Sequence, residues 1–113
     1  RITDDWLKAD WQKNDLTALV TQNDHVAIGA VQALEDAGLD VPADVSVVGF
    51  DGTELSQHSR PRLTTVKVPL EDIGRRAANE LIDQIQNGQE KDEQIIQLPV
   101  ELIVGESTAK PRA

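Results

Sequence analysis

Cysteine is absent, the aromatic residues are two Trp and one Phe, and Lys and Arg number 11 against 20 Asp and Glu, a formal charge of -9. Without cysteine there are no disulfides and no thiolate metal sites, a composition compatible with a reducing cytosol. With only 3% aromatics there is no surface on which bases could stack. The acidic balance repels phosphate backbones, so direct nucleic-acid contact is not expected from these residues. Long apolar runs are also missing. The longest are strand-sized, which excludes a signal peptide or a spanning segment and makes the chain soluble with no membrane partner. Histidine is limited to His25 and His58, too little for a transition-metal site, and no glycine-rich phosphate loop occurs, so no cofactor is expected. Asp51, Ser56 and His58 supply the residue types of a hydrolytic triad, but no Gly-x-Ser-x-Gly elbow accompanies them, and the chain does not read as an enzyme.

What is present is a sequence of short elements. The 113 residues suffice for one compact domain and are few for a two-lobed binding protein, and the start at Arg1 reads as a piece of a longer polypeptide. Trp6, Leu7 and Trp11 fall near helical spacing and are expected in core or lobe packing. Leu16 to Thr21 is strand-like. Val26, Ala27, Ala30, Val31 and Leu34 then mark one face of a helix ending at Gly38, with Pro42 beyond. Val45 to Phe50 is nearly continuous in apolar and β-branched residues, as in a strand of a parallel sheet covered on both faces. Strand, helix, strand over this span predicts a βαβ unit and an α/β, doubly wound parallel sheet.

Glu54 to Arg62 is polar, ends near Pro61 and reads as a loop; Leu63 to Val68 reads as extended. From Pro69, Leu70, Ile73, Ala77, Leu81 and Ile85 recur at helical intervals up to Gly88, and the charged Gln89 to Glu93 connects to an alternating edge strand around Pro99, from Ile96 to Val104. Arg60, Arg62, Arg75 and Arg76 are read as a solvated, salt-bridged surface.

Asp51 closes the second strand between Gly49 and Gly52. Ligands of open α/β sheets bind outside the carboxyl ends of the strands, where an acid can accept hydrogen bonds from sugar hydroxyls. The bland alternative is that Asp51 caps its own turn by bonding an amide two residues on. Asn23 and Asp24 can each cap the following helix; Asp24 is assigned that duty, leaving Asn23 to offer both a donor and an acceptor to a ligand. His25 is read as an exposed residue of the first helical turn.

Four motifs extend this reading: Asn23-Asp24-His-Val-Ala-Ile-Gly29, Gly38 to Asp51 with its Val-Pro-Ala-Asp-Val-Ser-Val-Val-Gly-Phe-Asp run, Pro61-Arg-Leu-Thr-Thr-Val66, and Leu98-Pro-Val-Glu-Leu-Ile-Val-Gly-Glu-Ser-Thr108. In this order the chain resembles the effector-binding domain of the LacI/GalR family of bacterial transcription regulators. The resemblance implies the C-terminal lobe of a periplasmic-binding-protein-like fold, incomplete here: residues 1–68 as the βαβ lobe, 69–93 as a helix and connector packing on an N-terminal lobe, and 94–113 as closing strand and tail. It implies a small-molecule effector such as a sugar held by Asn23 and Asp51, and Val68 where the family often has a glutamine. It further implies a homodimer or higher oligomer through Ile28, Val31, Gln32, Leu55, His58 and Arg60, contact with operator DNA only through a helix-turn-helix domain outside these residues, and a cytoplasmic location. An extracytoplasmic sugar-binding protein of a transport system is the alternative with the same fold. Alone, the helix from Pro69 to Asn87 is expected to expose an apolar stripe and drive association.

Overall fold

The computed structural model describes Asp5, residues 15–88 and residues 94–112. The helix expected around Trp6 and Trp11 and the connector at 89–93 lie outside the described residues. The elements are β1 (Ala18–Val20), α1 (Asp24–Asp36), β2 (Ser46–Asp51), α2 (Glu54–His58), β3 (Thr64–Lys67), α3 (Leu70–Asn87) and β4 (Glu101–Ile103).

The strands form one sheet in the order β1-β2-β3-β4. β1, β2 and β3 are parallel, with Leu19 opposite Val47 and Gly49 opposite Thr65, while β4 runs antiparallel to β3 with Leu102 opposite Val66. This is the mixed α/β, parallel-dominated sheet expected from the strand-helix-strand pattern. β2 alternates in direction, as a strand must. Val45, Val47 and Gly49 turn toward α1, and Val45 and Val47 are fully buried with Ala27, Val31, Leu34 and Leu63 in one core cluster. Each large aliphatic side chain buried there contributes about 1.5–3 kcal/mol. The α1 core residues recur three and four positions apart, so a single stripe of the helix covers the sheet. The helix ends where expected, with Gly38 at φ +81° just past its last turn.

On the opposite side of the sheet, toward the carboxyl ends of the strands, apolar side chains stay exposed among the described residues. No residue of α3 is buried; Leu70, Ile73, Leu81, Ile82 and Ile85 are exposed, as are Phe50 and Leu102. The charged side of α3 is laced by Arg75, which pairs with Glu71 and Asp72. Two expectations are corrected. The stretch from Glu54 to Arg62 is not all loop, because α2 forms at its start, about one and a half turns, too short for apolar periodicity to register. The alternating segment from Ile96 to Val104 pairs only at Glu101–Ile103, since β3 offers just three partner positions there and Pro99 cannot donate to a ladder.

The chain after β4 stitches the amino ends of β2 and β3. Glu106 donates its N–H to Arg62 O at 2.7 Å, Val47 N donates to Ser107 O at 2.8 Å, and the buried Ser107 hydroxyl accepts from Thr64 N at 2.8 Å while donating to Val47 O at 2.5 Å. Arg62 also meets the Glu106 carboxylate at 3.0 Å. The side-chain and backbone hydrogen bonds from Arg62 hold this carboxyl below its ordinary value of 4.5. A depressed carboxyl stabilises the fold above the unfolded-state value and loses that effect as pH falls through the folded one. Arg62→Gln is therefore expected to return the Glu106 titration, followed by carboxyl carbon NMR, toward 4.5 and to remove a stabilisation that is fully present at neutral pH and fades as pH falls through the lowered folded value.

Candidate functional site

The carboxyl ends of the three parallel strands form a rim built around one buried acid. Asp24, the first residue of α1, is fully buried. Its Oδ2 accepts from the backbone N–H and the hydroxyl of Thr53 at 2.7 and 2.8 Å, and its Oδ1 accepts from the Thr65 hydroxyl at 2.6 Å. No cation is paired with it among the described residues, so these charge-assisted bonds and the amino end of α1 offset its desolvation. Space for it comes from Gly49, where a Cβ would lie 2.4 Å from Asp24 Oδ1.

The sequence reading assigned the cap of α1 to Asp24, and this is reversed. Asn23 is the N-cap, its Oδ1 accepting from Val26 N at 2.9 Å. The reason is the sheet: the side chain of Asp24 is drawn inward by donors on β3 and the chain after β2, and the residue before it turns to the helix. The Asn23 amide Nδ2 makes no hydrogen bond among the described residues and remains a donor.

Asp51 ends β2 in an unusual backbone, with φ at +107°. For a residue with a Cβ this is a strained conformation, of the kind concentrated at functional sites. Its carbonyl accepts from Val68 N at 3.0 Å, and its half-buried carboxylate has no partner among the described residues. The turn-capping alternative fails on geometry, because the amide two residues on, Thr53 N, is already bound to Asp24. Thr21 still donates its N–H to Val48 O at 2.9 Å, so Asn23 and Asp51 both lie at the carboxyl ends of neighbouring parallel strands.

Val68 continues β3 beside Asp51 and, with Phe50, Pro69, Ile73 and Ile96, lines a cavity of about 470 Å³ between the open face of the sheet and α3. Apart from Arg76, Glu80 and Gln94 the named walls are apolar. On the other face, α1 and α2 meet. Beside them, between α1 and the segment that follows α2, a groove of about 230 Å³ brings together Ile28, Val31, Gln32 and Arg60 with Glu35 and Pro61. Leu55 and His58 lie on α2 and are exposed, but neither lines the groove. Val31, expected at a subunit surface, is 5% exposed and belongs to the core cluster. Gln32 bonds Asp36 at 2.9 Å and His58 Nδ1 lies 2.9 Å from Glu54 O.

Sequence reasoning missed Thr53 and Thr65. The only signal was indirect: Gly49, two residues before Asp51, leaves a gap on the inward face that some side chain must fill.

Residues 2–108 match the periplasmic binding protein-like domain family. The chain is 42% identical over 95 residues to the HTH-type transcriptional regulator MalR of Streptomyces coelicolor, an alignment covering 84% of this chain and 27% of that protein. It is 38% identical over 96 residues to the lactose operon repressor of Rhizobium radiobacter, covering 85% of this chain and 83% of that one. Among solved structures, a LacI family transcriptional regulator from Enterococcus faecium with bound ribose superposes with a TM-score of 0.81 at 33% identity, covering 96% of this chain and 38% of that one. The chain thus spans about a quarter of the length of MalR. With the family matched over nearly all its residues and regulators as its relatives, the chain belongs to the periplasmic binding protein-like domain family, in the branch found in LacI-type transcription regulators.

Proposed function

We propose that this chain is the C-terminal part of the effector-sensing domain of a LacI/GalR-type transcription regulator, and that Asn23 and Asp51 hold a sugar at the rim. The observation that carries the reading is Asp51 itself: a strained carboxylate, unpartnered among the described residues, at the carboxyl end of a parallel strand whose neighbour ends at Asn23, an amide whose N–H groups are likewise unbonded there. A sugar hydroxyl both accepts and donates, so an amide on one side and a carboxylate on the other complete its bonding. The ribose-bound relative supports the ligand class.

In this reading α3 and the open sheet face, with Phe50, Ile73 and Leu102, pack against the rest of the sensor domain, which supplies the second wall of the cleft. Effector binding then shifts the balance between two lobe arrangements and so the affinity of a DNA-binding domain outside these residues. The groove between α1 and the segment after α2, lined by Ile28, Gln32 and Arg60, together with Leu55 and His58 on the exposed side of α2, serves as a two-fold subunit interface in the cytoplasm. The test is calorimetric titration of the full-length regulator with a pentose, ribose, a hexose, glucose, and a disaccharide, lactose. Saturable binding of one of them, lost with Asp51→Ala, is the expected result. Absence of binding by all three, or binding indifferent to Asp51, would overturn the assignment.

A further inference from the structure

We propose that Asp24 is a positioning residue whose buried carboxylate, acting through Thr53 and Thr65, holds the chain immediately after Asp51 and so keeps Asp51 in its strained, unpartnered conformation. The inference rests on the reading of Asp51 as an effector contact and adds a device that presents it. Two consecutive residues here have positive φ, Asp51 at +107° and Gly52 at +70°. Glycine accepts this readily, but an aspartate reverts to ordinary backbone unless its surroundings over-determine the turn.

The anchors fall where that demand is greatest. Gly52 donates its N–H to the Thr65 hydroxyl at 3.3 Å, and that hydroxyl passes its own proton to Asp24 Oδ1 at 2.6 Å. Thr53, one residue further, gives both its N–H and its hydroxyl to Asp24 Oδ2. Thus the two residues following Asp51 are both bound to one carboxylate, directly or through one relay. A tie serving only to close the core would need none of its donors beside the rim, and apolar packing between α1 and the sheet already closes the core through Leu34, Val47 and Leu63. The turn is also pressed from the other side, since a Cβ at Gly52 would lie 2.6 Å from Lys67 Cα. Asp51 is therefore held between a polar anchor and the end of β3, and its own carboxylate is excluded from the one amide it would otherwise cap.

The experiment uses the full-length regulator. Thr65→Val removes the relay at constant shape, and Thr65→Ser restores the hydroxyl. Hydrogen exchange of the Gly52 and Thr53 amides is expected to quicken about tenfold or more in Thr65→Val, with exchange along 27–34 of α1 unchanged, and to return to normal in Thr65→Ser. Whichever of ribose, glucose or lactose the unaltered protein binds is expected to bind about tenfold more weakly to Thr65→Val and normally to Thr65→Ser. Unchanged exchange at Gly52 and Thr53, or a uniform rise across the domain that Thr65→Ser does not reverse, would overturn the proposal. If none of the three sugars binds the unaltered protein, the effector reading fails while the exchange result still decides the tie. Should Thr65→Val not fold, Thr53→Ala, which removes one donor at a half-buried position, carries the same comparison.

Discussion

Asp51→Gly is expected to make the protein more stable and at the same time poorer at binding its effector. At φ +107° the native residue holds a backbone that glycine adopts without steric cost. Relief of this strain, about 1–3 kcal/mol for such a residue, is set against the extra chain entropy of glycine, about 0.5–1 kcal/mol. A net gain of about 1 kcal/mol should appear as a raised denaturant midpoint. Loss of a charge-assisted hydrogen bond to a hydroxyl costs about 1.5–3 kcal/mol, a tenfold to hundredfold rise in dissociation constant by calorimetry. The two effects have opposite signs, and that separates the readings. A turn residue with no ligand duty would gain stability and leave affinity untouched. A residue needed for the fold would lose both. Strain retained where it lowers stability is the pattern of a site kept for function rather than for folding.

Gly105→Ala is expected to be the most damaging single-methyl change in the described part of the chain after β4. A Cβ there would lie 2.5 Å from Arg62 O and 2.6 Å from both Leu63 C and Leu63 O, all backbone atoms that cannot swing aside. Overpacking of this kind costs about 1–3 kcal/mol. Displacement would also unseat Ser107, which fills the ladder beside β2 before β3 has begun and satisfies Thr64 N and Val47 O. Orphaning such buried groups costs about 1–3 kcal/mol each. The loss for Gly105→Ala should therefore reach about 3 kcal/mol in chemical denaturation and exceed that of Ser107→Ala, which removes the hydroxyl without moving the backbone. A Gly105→Ala protein as stable as the unaltered one would show that the segment from Gly105 to Ala109 is not seated against β3 in solution.

Much of the framework was legible because its signals are local. The stripe of Ala27, Ala30, Val31 and Leu34 and the glycine stop at Gly38 define α1, and the stripe from Leu70 to Ile85 with Gly88 at φ +60° defines α3. β2 announced itself by its β-branched run, and Asp51 by its place at the strand end. Where contacts distant in sequence compete with local ones, the reading failed. Asn23 and Asp24 have nearly equal capping chemistry, and donors from residues 53 and 65 decided which of them faced inward. Val31 lies on the edge of the α1 stripe, where a helical wheel does not separate core from surface; in the structure it joins the core cluster with Leu34, Val47 and Leu63.

From the sequence alone follow the α/β class, the order of α1, α3 and the parallel strands, and the acid at the mouth of β2, since period, capping and β-branched runs act between residues close along the chain. Only the tertiary structure decided that Asp51 is strained and, among the described residues, unpartnered, that Asn23 spends its amide oxygen on the cap of α1, and that a buried carboxylate ties the rim together. Those outcomes depend on which donors meet which acceptors across the sheet, and a buried polar group takes whichever partner the packing brings within reach.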